Sequence, residues 1–184
     1  GTMGAGIAEV AAKAGADVTV TDVAEDQLER ARGGIARSLA KAVEKSKIDA
    51  RAAEAAKARI GYARELEGGG ADLVIEAVPE NMVLKKDVLR TAAKRAPEAI
   101  LASNTSSLSV TELAAACPNP ERVLGLHFFN PPPVMALVEM VRAEQTADAT
   151  LARARAWAEA AGKTPVVVRD VPGFATSRLG VALG

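Results

Sequence analysis

The order of apolar segments along the chain constrains its fold more than any other feature. Strand-like runs alternate with helix-like stretches almost throughout, and the runs "ADLVIEAV" (71–78) and "AILAS" (99–103) are nearly continuous in apolar residues. Such runs are typical of strands that are buried on both faces of a parallel sheet. Because strands that alternate with helices build right-handed crossovers, the sequence predicts an α/β fold with a mostly parallel sheet and helices on both of its faces.

Periodicity and turn residues set the expected boundaries of the elements. Helices are predicted at 3–14, 24–47, 49–59, 82–95, 109–116 and 147–161, and strands at 17–22, 71–78, 99–103, 122–129, 136–141 and 164–169. Gly15 and Gly162 are expected to end helices. Ser109 and Glu112 have the spacing of a capping box at the start of the short fifth helix, so Ser109 is as readily a helix cap as a site residue.

Composition excludes several classes of function. Among the 184 residues, 23 basic side chains balance 23 acidic ones, so no charge excess favours nucleic acid or a membrane surface as a partner. One cysteine and one histidine argue against a structural zinc site, and we expect no metal. The lone cysteine forms no internal disulfide, which suits a reducing compartment such as the cytoplasm.

The chain begins with what resembles the second half of a dinucleotide-binding loop. Gly1 and Gly4 have the spacing of the second and third glycines of G-x-G-x-x-G, and a predicted helix follows them. Asp22 ends the next predicted strand, where its carboxylate can accept hydrogen bonds from a ribose diol and repel a 2′-phosphate. These features predict a Rossmann-like, doubly wound fold that binds NAD in preference to NADP. The strand that normally precedes such a loop is expected to be missing.

His127 and Glu139 are candidates for acid–base chemistry. His127 lies at the end of a predicted strand, and in open α/β sheets ligands bind outside the carboxyl ends of strands. Glu139 lies on the following strand, and a carboxylate bonded to one ring nitrogen leaves the other free to act as a base. Two plainer interpretations stay open: His127 as a packed core residue, and Glu139 as an ordinary strand residue.

Several motifs together carry a resemblance to a known family: "GTMGAGIA", "VTD", "ADLVIEAVPEN", "LASNTSSLS", "GLHFFNPPPVMALVEMV" and "GKTPVVVRDVPGF". In this order they resemble the NAD-dependent L-3-hydroxyacyl-CoA dehydrogenases, including bacterial 3-hydroxybutyryl-CoA dehydrogenases. The resemblance implies reversible oxidation of the 3-hydroxyl of an acyl-CoA, with NAD as the cofactor. It also implies a second, helical domain and a homodimer in the full-length protein.

The resemblance implies a role for each residue that matches a family motif. His127 is implied as the base, Glu139 as its partner and Ser106 as a contact to both substrate and cofactor. The other implied cofactor contacts are Gly1, Thr2, Met3, Gly4, Ala5, Gly6, Asp22, Glu80, Lys85 and Asn130. Ser38 and Lys45 on the long helix are implied to bind the CoA moiety.

Two departures from the family pattern affect this interpretation. Ser177 replaces the asparagine of the family's "GF…NR" segment, which is expected to weaken binding of the reacting oxygen. The chain also stops early: residues 1–174 are expected to be the NAD-binding domain and 175–184 the start of the helical domain, so we expect these residues alone to be inactive. A dehydrogenase of a free hydroxy acid or sugar acid, and a noncatalytic NAD-binding module, stay open as alternatives.

Overall fold

The structure is a computed structural model that describes residues 1–67, 69–171 and 173–174. The helices are α1 (Thr2–Lys13), α2 (Glu25–Glu44), α3 (Ala50–Ala58), α4 (Met82–Arg95), α5 (Val110–Ala114) and α6 (Asp148–Ala160). The strands are β1 (Val18–Thr21), β2 (Ile60–Ala63), β3 (Leu73–Glu76), β4 (Ile100–Ser103), β5 (Val123–Phe128), β6 (Leu137–Arg142) and β7 (Thr164–Arg169). Ser177 and the rest of the expected start of the helical domain lie outside the described residues.

The strands form two separate sheets, and the chain divides into two compact units. The first unit comprises residues 1–67 and 130–136, and the described part of the second comprises 69–129, 137–171 and 173–174. The two-stranded sheet β1-β2 belongs to the first unit, and the five-stranded sheet β3-β4-β5-β6-β7 belongs to the second. Within the described residues, no strand pairs with both β1 and β3.

The first unit packs its three helices around small side chains. β1 and β2 are parallel, with Val18 opposite Ile60. Alanine dominates the core, which allows helix backbones to approach one another closely, and Ile35 and Leu39 of α2 fill the remaining space. The buried cluster consists of Ala5, Ala8, Ala12, Ala31, Ile35, Leu39, Ala53, Ala56 and Ile60.

The second unit contains a mixed sheet. β3, β4 and β5 are parallel, β6 runs antiparallel to β5, and β7 is parallel to β6. Every residue of β4 and β5 is buried, as expected for strands covered on both faces. β3 differs from the expectation: its three apolar residues are only half-buried, because β3 is an edge strand of this sheet.

The predicted helix ends are largely confirmed. Gly15 and Gly162 have φ values of +94° and +71°, a left-handed conformation that suits glycine after a helix. The Ser109 hydroxyl accepts from the backbone N–H of Glu112, but the Glu112 carboxylate pairs with Lys86 and does not complete a capping box. The Ser109 hydroxyl also donates to Asp170, which follows β7.

One strand was missing from the sequence prediction. β2 has four residues, follows α3 after a single residue and contains a glycine, so it has no periodicity of its own. Pairing with β1 makes it a strand. None of the helices that the structure describes is both long and apolar enough to cross a lipid bilayer.

Candidate active site

His127 and Glu139 face each other across the antiparallel pair β5–β6. They are direct cross-strand partners, and because such partners lie on the same face of a sheet, their side chains meet. His127 Nδ1 lies 2.8 Å from Glu139 Oε2. The exposed fraction is 9% for His127 and 1% for Glu139. A carboxylate this deeply buried requires a partner, and the imidazole is one.

Two aromatic rings lie beside the imidazole, and an asparagine binds the backbone next to it. The ring of His127 lies 4.6 Å from that of Phe129 and 6.0 Å from that of Phe174, measured between centroids. Next to His127, the backbone N–H of Phe128 donates to the side-chain oxygen of Asn104, which follows β4. The carboxyl end of β5 is thus attached to the segment after β4, which fixes the backbone that carries the imidazole.

Ser106 lies on an exposed loop that a single carboxylate holds. Glu80 Oε1 accepts from the Thr105 hydroxyl at 2.6 Å and from the backbone N–H groups of Ser106 and Ser107 at 2.9 and 3.2 Å. The hydroxyls of both serines also lie within 3.3 Å of the same oxygen. The loop and Glu80 therefore form one hydrogen-bonded unit.

These contacts keep Glu80 ionised. Burial alone would raise its pKa, but the Thr105 and Ser106 hydrogen bonds and the charge of Lys85 outweigh burial and lower the pKa to about 2. The acceptor for the loop is therefore a carboxylate at neutral and mildly acidic pH.

Glu80 also contacts a buried ion pair between Lys85 and Glu76. Lys85 on α4 is 0% exposed, and its Nζ lies 2.8 Å from Glu76 Oε1, 3.1 Å from the Val78 carbonyl oxygen and 3.4 Å from Glu80 Oε2. Glu76 Oε2 in turn accepts from the Ser103 hydroxyl at 2.6 Å. This network joins the carboxyl ends of β3 and β4 to α4.

In the first unit, the N-terminus of α1 and Asp22 lie together. Gly1 is the N-cap residue and provides no side-chain cap, and its nitrogen lies 3.8 Å from Asp22 Oδ2. Asp22 Oδ1 accepts from the backbone N–H of Ala24. The first N–H groups of a helix have no partner within the helix, so they are available to an anion.

The first unit contains a surface pocket. A Cβ atom built on Gly1 meets nothing within 4 Å. A pocket of about 640 Å³ lies at the ends of β1 and β2, lined by Val23, Tyr62, Ala63, Arg64, Glu65 and Glu67. Asp22 directly precedes Val23 of this lining, and its carboxylate is 28% exposed.

Gly6 packs against the proline segment that follows β5. A Cβ atom at Gly6 would lie 2.9 Å from two ring carbons of Pro132, closer than real Cβ contacts allow. Only glycine fits this close approach. Asn130 is exposed at the start of the same proline segment.

Comparison with known proteins identifies the family. A family model described as "3-hydroxyacyl-CoA dehydrogenase, NAD binding domain" matches residues 1–171. The chain belongs to this family. NAD, the cofactor predicted from Asp22 and the glycine loop, is thereby confirmed, as is the resemblance drawn from the motifs.

Individual relatives agree with this assignment. The chain is 44% identical over 181 residues to the probable 3-hydroxybutyryl-CoA dehydrogenase of Deinococcus radiodurans, covering 97% of this chain and 65% of the relative. It is 43% identical to the probable enzyme of that name from Bacillus subtilis, covering 97% of this chain and 63% of the relative. The chain therefore spans just under two thirds of the length of these relatives.

A solved structure confirms the fold. The crystal structure of 3-hydroxybutyryl-CoA dehydrogenase from Escherichia coli K12 matches this chain with a TM-score of 0.94 at 41% identity. The match covers 98% of this chain and 39% of that one. The Rossmann-like α/β fold predicted from the order of segments is thus the fold of a 3-hydroxyacyl-CoA dehydrogenase.

The residues implied by the 3-hydroxyacyl-CoA dehydrogenase motifs fall into separate groups. His127 contacts Glu139, and Ser106 contacts Glu80, which contacts Lys85. Ser38 is half-buried in α2, and Lys45 is exposed as the C-cap residue of that helix. Ser177 lies outside the described residues. The roles of these side chains in binding and catalysis stay predictions.

Sequence reasoning missed Glu76, Ser103, Asn104 and Thr105, which hold the loop and strand ends together. Glu76 carried a usable signal, because it is the only charged residue between Leu73 and Val78 in an apolar run. A charge in a buried strand requires a partner, and Lys85 lies nine residues later. Asn104 and Thr105 lie in the motif "LASNTSSLS", but nothing in the motif distinguished them from the other polar residues of that loop.

Proposed function

We propose that the protein oxidises the 3-hydroxyl group of an L-3-hydroxyacyl-CoA to a ketone, reversibly and with NAD. Family membership supports the reaction class. The observation that carries the proposal is the 2.8 Å contact between His127 Nδ1 and Glu139 Oε2 at the carboxyl end of β5. Oxidation of an alcohol requires a base for the O–H proton, and a histidine paired with a carboxylate is suited to that task.

The proposed base is Nε2 of His127. The Glu139 carboxylate favours a proton on Nδ1, so Nε2 keeps its lone pair and can take the proton of the substrate hydroxyl. The imidazolium that results is stabilised by the same carboxylate, which is buried and therefore poorly screened by water. In the reverse direction the imidazolium returns the proton to the carbonyl oxygen.

NAD, when bound, supplies the acceptor for the hydride that leaves the carbon atom bearing the hydroxyl. The N-terminal turn of α1 would hold its pyrophosphate and Asp22 its adenosine ribose. Ser106 and Asn130 are proposed to orient the substrate and the cofactor by hydrogen bonds. Glu80 is proposed to act near the cofactor while it holds the loop that carries Ser106.

The CoA moiety is assigned to α2. Ser38 and Lys45 lie seven residues apart, close to two helical turns, so both project from the same side of the helix. Lys45 is exposed and can meet a phosphate of CoA, and the Ser38 hydroxyl can donate a hydrogen bond.

The test follows oxidation of NADH by acetoacetyl-CoA in the full-length protein, with free acetoacetate as the competing substrate. The proposal expects turnover with the CoA ester, and a His127→Gln variant that loses about 10²-fold or more while it still unfolds in a single cooperative transition. Greater turnover with free acetoacetate would instead indicate a dehydrogenase of free acids. Activity that His127→Gln leaves intact would remove the proposed base, and NADH binding without turnover would indicate a noncatalytic module.

A further inference from the structure

The segment that follows β7 contacts His127. β7 ends at Arg169, and the ring of Phe174 lies 6.0 Å from the imidazole of His127, measured between centroids, with the two planes tilted by 54°. Aromatic pairs prefer tilted planes and separations of this size. Phe174 is only 2% exposed, so its ring is part of the buried surroundings of the imidazole.

The backbone of this segment has an unusual conformation. Gly173 and Phe174 have φ values of +76° and +46°, and the N–H of Phe174 donates to the carbonyl oxygen of Val171 at 2.9 Å. Glycine adopts a left-handed backbone readily, whereas phenylalanine rarely does. Such a conformation persists only where surrounding contacts fix it. The position of Phe174 therefore depends on contacts between this segment and the rest of its unit.

Asp170 provides such a contact at the start of the segment. Its Oδ2 accepts from the hydroxyl of Ser109 at 2.8 Å and from the backbone N–H of Thr111 at 2.7 Å, both at the start of α5. Burial alone would raise the pKa of this carboxyl, but hydrogen bonds from Thr111, Val110 and Ser109 outweigh burial and lower the pKa. The carboxylate is therefore ionised at neutral pH, and its charge strengthens the hydrogen bonds to α5.

Asp170 also reaches the loop that carries Ser106. Glu80 accepts from the backbone N–H of Ser106 in the middle of that loop. Asp170 accepts from Ser109, which lies where the loop ends and α5 begins. The loop is thus held by two carboxylates, and the second of them connects it to the segment after β7.

We infer that Asp170 and Phe174 are positioning residues for the proposed base, His127. Asp170 fixes the segment after β7 to α5, and the ring of Phe174 keeps water from one side of the pair formed by His127 and Glu139. Because charges are screened less where water is excluded, this strengthens the attraction between the carboxylate and an imidazolium. The importance of this arrangement for turnover rests on the proposed function, whereas its effect on access to the imidazole does not.

The test measures how readily a reagent reaches the imidazole in the full-length protein without cofactor. Diethyl pyrocarbonate acylates unprotonated imidazoles, and trypsin, which cleaves after Arg122 and Arg142, releases residues 123–142 as one peptide. This peptide holds His127 and no lysine, tyrosine or cysteine, so mass spectrometry of its acylation reports on this imidazole. In Phe174→Ala and in Asp170→Ala, acylation should be about fivefold or more faster than in the parent protein, because the ring no longer covers the imidazole.

Two controls separate this effect from general destabilisation. Phe128→Leu removes a buried ring that packs against Trp157 on the opposite face of β5. Asp148→Ala removes a carboxylate that pairs with Arg142 from the first turn of α6. Neither control should change the acylation rate. An equal acceleration in either control would show a general loosening of the fold and overturn the inference.

Two conservative variants complete the series. Phe174→Leu keeps an apolar side chain beside the imidazole, and its acylation rate should stay close to that of the parent. Asp170→Asn covers the case in which Asp170→Ala fails to fold. It keeps the shape of the side chain but removes the charge that strengthens its hydrogen bonds, so acylation should be about twofold or more faster.

Kinetics with acetoacetyl-CoA link the arrangement to turnover. In Phe174→Ala and Asp170→Ala, kcat should fall while the KM for NADH stays unchanged, because the base is affected and the cofactor contacts are not. Unchanged acylation in Phe174→Ala, or in both variants of Asp170, would overturn the inference. Acylation is measured without substrate or cofactor, so a failure of the proposed dehydrogenase activity would appear separately, as absent NADH oxidation in the parent protein.

Discussion

His127 and Glu139 are twelve residues apart in the chain and directly opposite each other in the sheet. The register between β5 and β6 brings the imidazole and the carboxylate to 2.8 Å, and the burial of both strands keeps water from screening the pair. A shift of this register by one residue would place the two side chains on opposite faces.

The first prediction concerns Glu139. Glu139→Gln keeps an oxygen that can accept from Nδ1–H but removes the charge that stabilises an imidazolium. We expect turnover of acetoacetyl-CoA to fall by about 10²-fold or more, with a smaller effect on the KM for NADH. Steady-state kinetics measure the change in turnover and the change in KM separately. Equal turnover in the variant and the parent protein would show that the carboxylate has only a structural role.

The second prediction concerns the acid stability that Glu80 provides. Its pKa is lowered from 4.5 to about 2 in the folded protein, so its carboxylate stabilises the fold above about pH 4.5 and loses this effect as the pH falls toward 2. The contribution is about 1–2 kcal/mol after allowing for partial exposure of the carboxylate. Glu80→Gln should therefore lower stability at neutral pH, and its difference from the parent should shrink toward pH 2.

Urea unfolding between about pH 5 and pH 2 measures this difference. Glu98→Gln is the matched control, because Glu98 also pairs with a cation, Arg122, but its side chain is 85% exposed. Glu98→Gln should change the unfolding free energy only slightly at every pH. If the difference in unfolding free energy between Glu80→Gln and the parent stayed constant across this pH range, the low pKa of Glu80 would be contradicted.

The third prediction concerns Gly125, two residues before His127 in β5. An added Cβ would lie 2.8 Å from Val141 Cβ and 3.0 Å from Val110 Cγ2, inside a strand that is buried on both faces. Gly125→Ala should cost about 1–3 kcal/mol of unfolding free energy because neither valine can move far. The control is Gly61→Ala in β2, where the nearest atom lies 3.8 Å away. If both variants lost similar amounts of unfolding free energy, crowding at Gly125 would not be the cause of the destabilisation.

The fourth prediction concerns cofactor choice. Asp22→Ser removes the carboxylate proposed to bind the adenosine ribose, and we expect NADH affinity to fall about tenfold or more. The ratio of NADH to NADPH use should fall as well, because the charge that repels a 2′-phosphate is gone. Fluorescence titration with both cofactors measures the change, with Asp17→Ser, at the other end of β1, as the control. An unchanged ratio would place the ribose elsewhere.

Much of the fold followed from local pattern. The helix at 82–95 and the strand at 164–169 have the predicted bounds, because Pro79 and Pro97 flank the helix, and Gly162 and Pro172 flank the β-branched run of the strand. β2 was missed because its four residues become a strand only through pairing with β1. The half-burial of β3 was also missed, since an apolar run has the same sequence in a central strand as at an edge.

For the candidate site as well, some features were predicted from the sequence and others were not. His127 and Asp22 were predicted because each lies near the end of a predicted strand, and Glu139 because it lies on the strand that follows His127; their roles stay predictions. Lys85 was predicted from a motif to contact the cofactor, and its complete burial against Glu76 was not foreseen. Burial depends on which elements cover a side chain, and the spacing of residues along the chain does not contain that information.

By itself, the sequence determined the alternation of helices and strands, the family and its cofactor, and the candidate acid–base pair, because these depend on residue type and short spacing. Only the tertiary structure decided that Glu139 lies directly opposite His127, that Lys85 is enclosed by two carboxylates and that one glutamate holds the loop of Ser106. These relationships depend on strand register and on packing between segments far apart in the chain. Neither strand register nor packing between distant segments is set by the conformational preferences of neighbouring residues.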